Sequence, residues 1–162
     1  MPEPEPEPEP LSEAPEPSGP DLSAPSTGES AFVLDARLRA DTLDVAPLGL
    51  CRLLLMNDAR WPWLILVPRR PDATEAHRLS PLDQVLLAHA QGLVAETLPG
   101  VTGCASINVA ALGNVVRQLH VHVLAREPGA PNWPRPVWGH GEPVPYEPGA
   151  RDALIEAIRA AL

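Results

Sequence analysis

The run Gln118-Leu119-His120-Val121-His122-Val123-Leu124-Ala125-Arg126 holds the residues of this 162-residue chain best suited to chemistry. Two imidazoles stand one strand repeat apart, with a carboxamide before them and a guanidinium after. Apolar, β-branched residues alternate along the run, the pattern of a strand. Strand side chains alternate between faces. Gln118, His120, His122 and Arg126 therefore project one way, and Leu119, Val121, Val123 and Ala125 the other. The second set suits a core. The first admits four readings. Each histidine can be a partly buried ring with a hydrogen-bond partner. The pair can grip a metal, which then needs a third or fourth ligand; His77, His89 and His140 lie in a linker, a helix and a loop, without ligand spacing. A neutral imidazole can attack phosphorus when its second nitrogen is held by an acceptor. The phosphate charge then needs donors, and the turn Gly113-Asn114, Gln118 and His122 are placed to serve. The same donors can also hold a phosphate without any chemistry.

The elements that must position this strand read as follows. Phe32-Val33-Leu34 is a short strand or a lead-in to a helical turn over Ala36–Ala40, and 41–49 is a loop. Leu50–Met56 and Trp63–Val67 are strands of one antiparallel hairpin, joined through the turn formers Asn57-Asp58 and through Arg60-Trp61-Pro62. Ser80 caps a helix with Pro81 at its first position. Leu82, Val85, Leu86, Ala90, Leu93, Val94 and Leu98 keep helical spacing, and Pro99-Gly100 ends it. Ser106–Ala111 is a strand, Leu112–Val115 a turn, 127–148 an irregular loop, and Gly149–Leu162 a terminal helix. The order implies an α+β domain: an antiparallel sheet of about five strands with a covering helix and a C-terminal helix.

Residues 1–30 differ in kind. A Pro-Glu alternation runs from Pro2 to Pro10, and more Pro, Ser, Gly and acid follow. Almost nothing there can be buried, so 1–30 reads as a disordered tail and 31–162 as the folded domain. The tail lacks the basic start and apolar middle of a secretory signal. The chain carries 12 Lys+Arg and 21 Asp+Glu, a net charge of −9. Eight of the acids precede residue 31, leaving 13 against 12 arginines in the domain, a net of −1. That balance gives no electrostatic case for nucleic acid or an anionic membrane. The apolar runs are too short to span a bilayer. Cys51 and Cys104 form no C-x-x-C pair and read as free thiols in a reducing compartment, so the expected location is the cytoplasm.

The histidine strand resembles the motif of the histidine triad (HIT) superfamily, His-φ-His-φ-His-φ-φ, with an Arg two residues on. Upstream, Asn108 and Gly113-Asn114-x-Val116 resemble the family's Asn-x-Gly strand and Gly-Gln-x-Val turn, and the hairpin ending at Asn57-Asp58 resembles its nucleotide-facing hairpin. The likeness covers roughly residues 31–126 and is nearest to a bacterial branch with Gln-Leu-His-Val-His. It implies a nucleotidyl hydrolase or transferase that binds a purine nucleotide, is usually a homodimer with a continuous sheet, and needs no cofactor or metal. His120 corresponds to the nucleophile that attacks an α-phosphorus and forms a nucleotidyl-histidine. His122 corresponds to the contact with phosphate and leaving group. Asn57 or Asp58 takes the ribose- and base-contacting position, and Asn108, Gly113 and Asn114 fall on the phosphate side. Dinucleoside polyphosphates, phosphoramidates and nucleotide sugars all offer such a phosphorus. Two positions depart from the family. Gln118 replaces the first motif histidine; it can orient, but it cannot relay a proton near pH 7. Trp63 stands where many members have a histidine on the second hairpin strand, and reads as packing. A nucleotide-binding regulator without turnover is the alternative, and a metal-dependent hydrolase the third. Trp61, Trp63, Trp133 and Trp138 fit base stacking, a dimer contact or a lid, with packing favoured for Trp63, and Arg126 fits a phosphate contact or a strand-end salt bridge.

Overall fold

Leucine, isoleucine and valine dominate three consecutive sheet neighbours, and their alternation decides which layer each side chain enters. The structure, a computed structural model, describes Met1 and residues 31–162. The expected disordered tail therefore lies, apart from Met1, outside the described residues. Strands β1 (Thr42–Leu48), β2 (Cys51–Met56), β3 (Trp63–Pro68), β4 (Ser106–Ala110) and β5 (Val121–Arg126) form one antiparallel sheet in the order β1-β2-β3-β5-β4. The α+β architecture read from the sequence is the one observed.

One face of the sheet carries Leu53, Leu55, Leu64, Leu66, Val121 and Val123. It packs against Leu87, Val94 and Leu98 of α2 (Pro81–Thr102) and Ile155 and Ile158 of α3 (Pro148–Ala161). The other face carries Leu54, Trp63, Ile65, Val67 and Leu124. It is covered by Leu34 and Leu38, by Trp61, and by Val137 from the long loop after β5. Leu38 belongs to α1 (Ala36–Asp41), whose N-cap Asp35 accepts from the N–H groups of Arg37 and Leu38. The histidines share this second, loop-covered face.

Three boundaries differ from the sequence reading by more than one residue. The expected loop over 41–49 is largely strand β1. Asp44 and Pro47 argue against a strand, but β1 is an edge, where a proline need not donate and a bulge is tolerated. The register indeed shifts between Asp44 and Ala46, and Val45 stays buried in the core. Helix α2 does not stop at Pro99-Gly100. Fully buried Leu98 and the packed Val101 hold its last turn down. The helix ends at Gly103, with φ of 70°, whose N–H reaches the Pro99 carbonyl. Strand β5 starts at Val121, so Gln118-Leu119-His120 enters it as irregular chain. Elsewhere the expected start holds: Ser80 caps α2 by accepting from the Asp83 N–H at 3.1 Å.

No helix of the described residues is long and apolar enough to cross a membrane. Cys51 is buried and Cys104 half-buried, both free thiols, and burial pushes the Cys51 thiol up to about 11.

Candidate active site

His120 and His122 line a cavity of about 740 Å³ on the loop-covered face. Its walls come from α1, the end of β2 with Asn57 and Asp58, the turn at 112–116, and the loop at 137–145. The two rings lie 4.8 Å apart, edge to face. Both are almost fully buried, at 7% and 4% exposure.

Their partners differ in kind. Nδ1 of His120 lies 2.7 Å from the Gln118 carbonyl oxygen. A carbonyl can only accept, so Nδ1 carries the hydrogen and Nε2 of the neutral ring keeps a lone pair. Nδ1 of His122 instead accepts from the Trp63 indole N–H at 2.9 Å. An indole can only donate, so this ring is hydrogen-free at Nδ1 and carries its proton at Nε2. Burial, and then the neighbouring His120, press the His122 imidazolium down to about 3. The pair thus offers one bare ring nitrogen and one neutral N–H donor. Trp63 reaches His122 because β3 and β5 are paired neighbours. Ile65 sits opposite His122, and Trp63, two residues earlier on the same face, is its diagonal neighbour.

The other sequence candidates divide. Gly113, with φ of +59°, and Asn114 line the cavity. So do Asn57 and Asp58, but both are engaged with the chain itself. Asn57 Oδ1 accepts from the Tyr146 N–H at 3.1 Å. Asp58, 2% exposed, pairs with Arg60 at 2.6 Å and accepts from the Val144 N–H. Burial alone would raise the Asp58 carboxyl; Arg60 and the backbone N–H groups of Val144 and Arg60 outweigh it and hold it below the ordinary range. Asn108 is not among the lining residues. Its Oδ1 accepts from Arg126 at 3.2 Å. Gln118 is not among them either. Its Oε1 accepts from the Asp35 N–H and its Nε2 donates to the Val33 carbonyl, each at 2.9 Å. Gln118 therefore orients His120 with its main chain and grips residues 33–35 with its side chain.

Arg126 forms no salt bridge among the described residues and is not among the residues that line the cavity. Its guanidinium is buried, donates to Asn108 and to the Arg135 carbonyl, and lies 5.7 Å from the Trp133 ring. It fastens the long loop. Trp61 is buried and donates to the Pro131 carbonyl at 3.2 Å. Trp138 lines the cavity, 5.5 Å from the His122 ring. Arg60 and His140 are cavity residues that the sequence reading did not place there, and they stand beside Trp138, which it offered for base stacking, a dimer contact or a lid. The loop that carries Trp138 and His140 has no periodicity to read, and only its Trp and His content marks it. Among the described residues no group of three or more His, Cys, Asp or Glu is arranged to hold a metal ion.

The HIT domain family model matches residues 39–129, more than half of the chain. The chain belongs to the HIT domain family. A HIT protein from Sinorhizobium meliloti is 50% identical, with a TM-score of 0.81 over 83% of this chain and 100% of that one. A histidine triad protein from Bradyrhizobium japonicum is 43% identical, with a TM-score of 0.80 over 82% and 98% of the two chains. One from Marinobacter aquaeolei is 41% identical, with the same TM-score over 82% and 97%. Among curated proteins none matches the chain. HIT proteins form a nucleotide-binding superfamily whose members are often nucleotide hydrolases or transferases. In this HIT domain His120 and His122 line the cavity, and the long loop after β5 supplies a wall.

Proposed function

We propose that this HIT protein binds a purine nucleotide derivative in the 740 Å³ cavity and cleaves it at the α-phosphate through a nucleotidyl-histidine at His120. The observation that carries this reading is the Gln118 carbonyl on His120 Nδ1, which leaves Nε2 as the attacking atom. His122, hydrogen-bearing at Nε2, donates to the phosphate as charge builds. Gly113 and Asn114 add donors at the phosphate side, and Asn57 and Asp58 stand at the ribose and base end. The leaving group is a phosphate, as in dinucleoside polyphosphates, or an amine, as in phosphoramidates. The residues need no metal for these roles. The two free cysteines fit a reducing cytoplasm.

The test is nucleoside monophosphate release from a diadenosine polyphosphate and an adenosine phosphoramidate, with and without chelator. Release that survives chelator and disappears in His120→Ala supports the reading. Nucleotide binding with no release from either substrate leaves the non-catalytic regulator instead.

A homodimer is part of the same reading. Strand β4 is a sheet edge. Val109 on it lies on the helix side of the sheet yet is 48% exposed. Leu82, Val85 and Leu86 on α2 are exposed as well. An open edge beside exposed apolar side chains is a pairing surface. Sedimentation should give twice the chain mass, and Val109→Glu should shift the protein toward monomer.

A further inference from the structure

The bond between Trp63 and His122 limits what the site can cleave. Leaving groups differ in one respect that matters here. A phosphate-type oxygen departs stably as an anion. An alkylamine nitrogen must receive a proton as its bond to phosphorus breaks, which is the task of a general acid. A histidine does that task as an imidazolium, with hydrogens on both nitrogens.

His122 is not free to take that form. Its Nδ1 faces the Trp63 N–H at 2.9 Å. A second hydrogen there would set two donors against each other inside a site where His122 is 4% exposed. His120 also faces it, 4.8 Å away, and Trp138 closes the loop side at 5.5 Å. The remaining charged groups of the cavity are mostly committed. Asp58 is paired with Arg60, and Asp41 with Arg37. Gln118, at the first motif position, carries no exchangeable acid. His140 and Glu142, both on the loop, are the other titratable groups in the walls.

Resting on the function proposed above, we infer that Trp63 is a specificity-determining residue. By holding His122 as a neutral donor, it makes the site selective for nucleotide derivatives whose leaving group is a phosphate or similarly acidic oxygen, and poor toward alkylamine leaving groups. In the favoured reaction the lone pair of His120 Nε2 forms the N–P bond. The P–O bond to the leaving group breaks with its electron pair on that oxygen, which departs unprotonated. Water then attacks phosphorus, the N–P pair returns to Nε2, and the proton from water passes to solvent.

The test is a leaving-group series on the full chain: a diadenosine polyphosphate, the p-nitrophenyl ester of adenosine monophosphate, and its alkylamine phosphoramidate. General acid assistance is typically worth ~10²–10⁴, so kcat/KM for the amine should fall below the two oxygen leaving groups by at least about 10²-fold. Trp63→Phe, which keeps the ring and removes the donor, should narrow that gap by about tenfold or more. Imidazole nitrogen NMR reads the cause without turnover. In wild type the His122 Nδ1 should stay hydrogen-free between pH 8 and pH 5, and in Trp63→Phe it should take up a proton in that range. The wild-type series and titration stand even where Trp63→Phe fails to fold. Amine cleavage as fast as phosphate cleavage, or a hydrogen on His122 Nδ1 in wild type, overturns the inference alone. If His140→Gln then removes only the amine activity, His140 is the acid. No release from any substrate overturns the proposed function and this inference with it.

Discussion

Gln118 divides its polar groups between two tasks. Its carbonyl sets the His120 ring, while its carboxamide bonds the main chain of Val33 and Asp35 at 2.9 Å on each side. A substitution that spares the main chain should therefore separate folding from catalysis. Gln118→Ala strips partners from one half-buried N–H and one exposed carbonyl, a loss of about 0.5–1.5 kcal/mol. Thermal unfolding should show the destabilisation, while the turnover proposed above falls only severalfold. A loss of turnover as deep as that of His120→Ala would mean that the carboxamide itself takes part. At this scale the sequence showed which side chains share a face and not what each of them bonds. The alternation of 118–126 placed His120 and His122 on one face. The identity of each ring's partner, a carbonyl for one and an indole for the other, depends on strand pairing between β3 and β5. That pairing is not a local property of either segment, so the sequence favours packing for Trp63 and does not show its bond to His122.

Elements are held to the site by few side chains. The loop after β5 is fastened by Arg126 at its start and by Asn57, Asp58 and Arg60 near its end, where Arg60 also donates to the His140 carbonyl. Asp58→Asn weakens the ion pair to Arg60 and should loosen the segment around His140 more than the sheet. Amide exchange should rise over 139–146 and stay unchanged in β2 and β3, with an overall cost of about 1–3 kcal/mol. Helix α2 behaves differently, because burial keeps its end. Leu98→Ala should cost about 2–5 kcal/mol and fray the turn through Thr102. The sequence showed both strands of the central hairpin, α2 and α3 through their periodicity. It missed β1, since Asp44 and Pro47 break the pattern that only edge placement and the bulge allow.

Across the whole molecule, the neutral state of His122 ties stability to acidity. A histidine ordinarily titrates at 6.5, and here burial and His120 press it to about 3. Between those values the unfolded chain binds more protons than the folded one, so stability is complete above about pH 6.5 and is lost as pH falls. One such proton is worth about 1.4 kcal/mol per pH unit. Urea midpoints should drop from pH 7 to pH 5, and His122→Phe should shrink that drop. Asp58 has the depressed carboxyl of a paired acid, so its contribution disappears only at lower pH, below the ordinary carboxylate range. Fold class was legible from the order of elements and from the motif; the cavity was not, because a third of its wall comes from the aperiodic loop after β5. The Gln118 grip has a mechanical side as well. Residues 33–35 lead into α1, and they are bonded to the residue whose carbonyl sets His120. A displacement of residues 33–35 therefore bears on the His120 ring through Gln118 and on the cavity wall through α1, whose Arg37 and Leu38 line it.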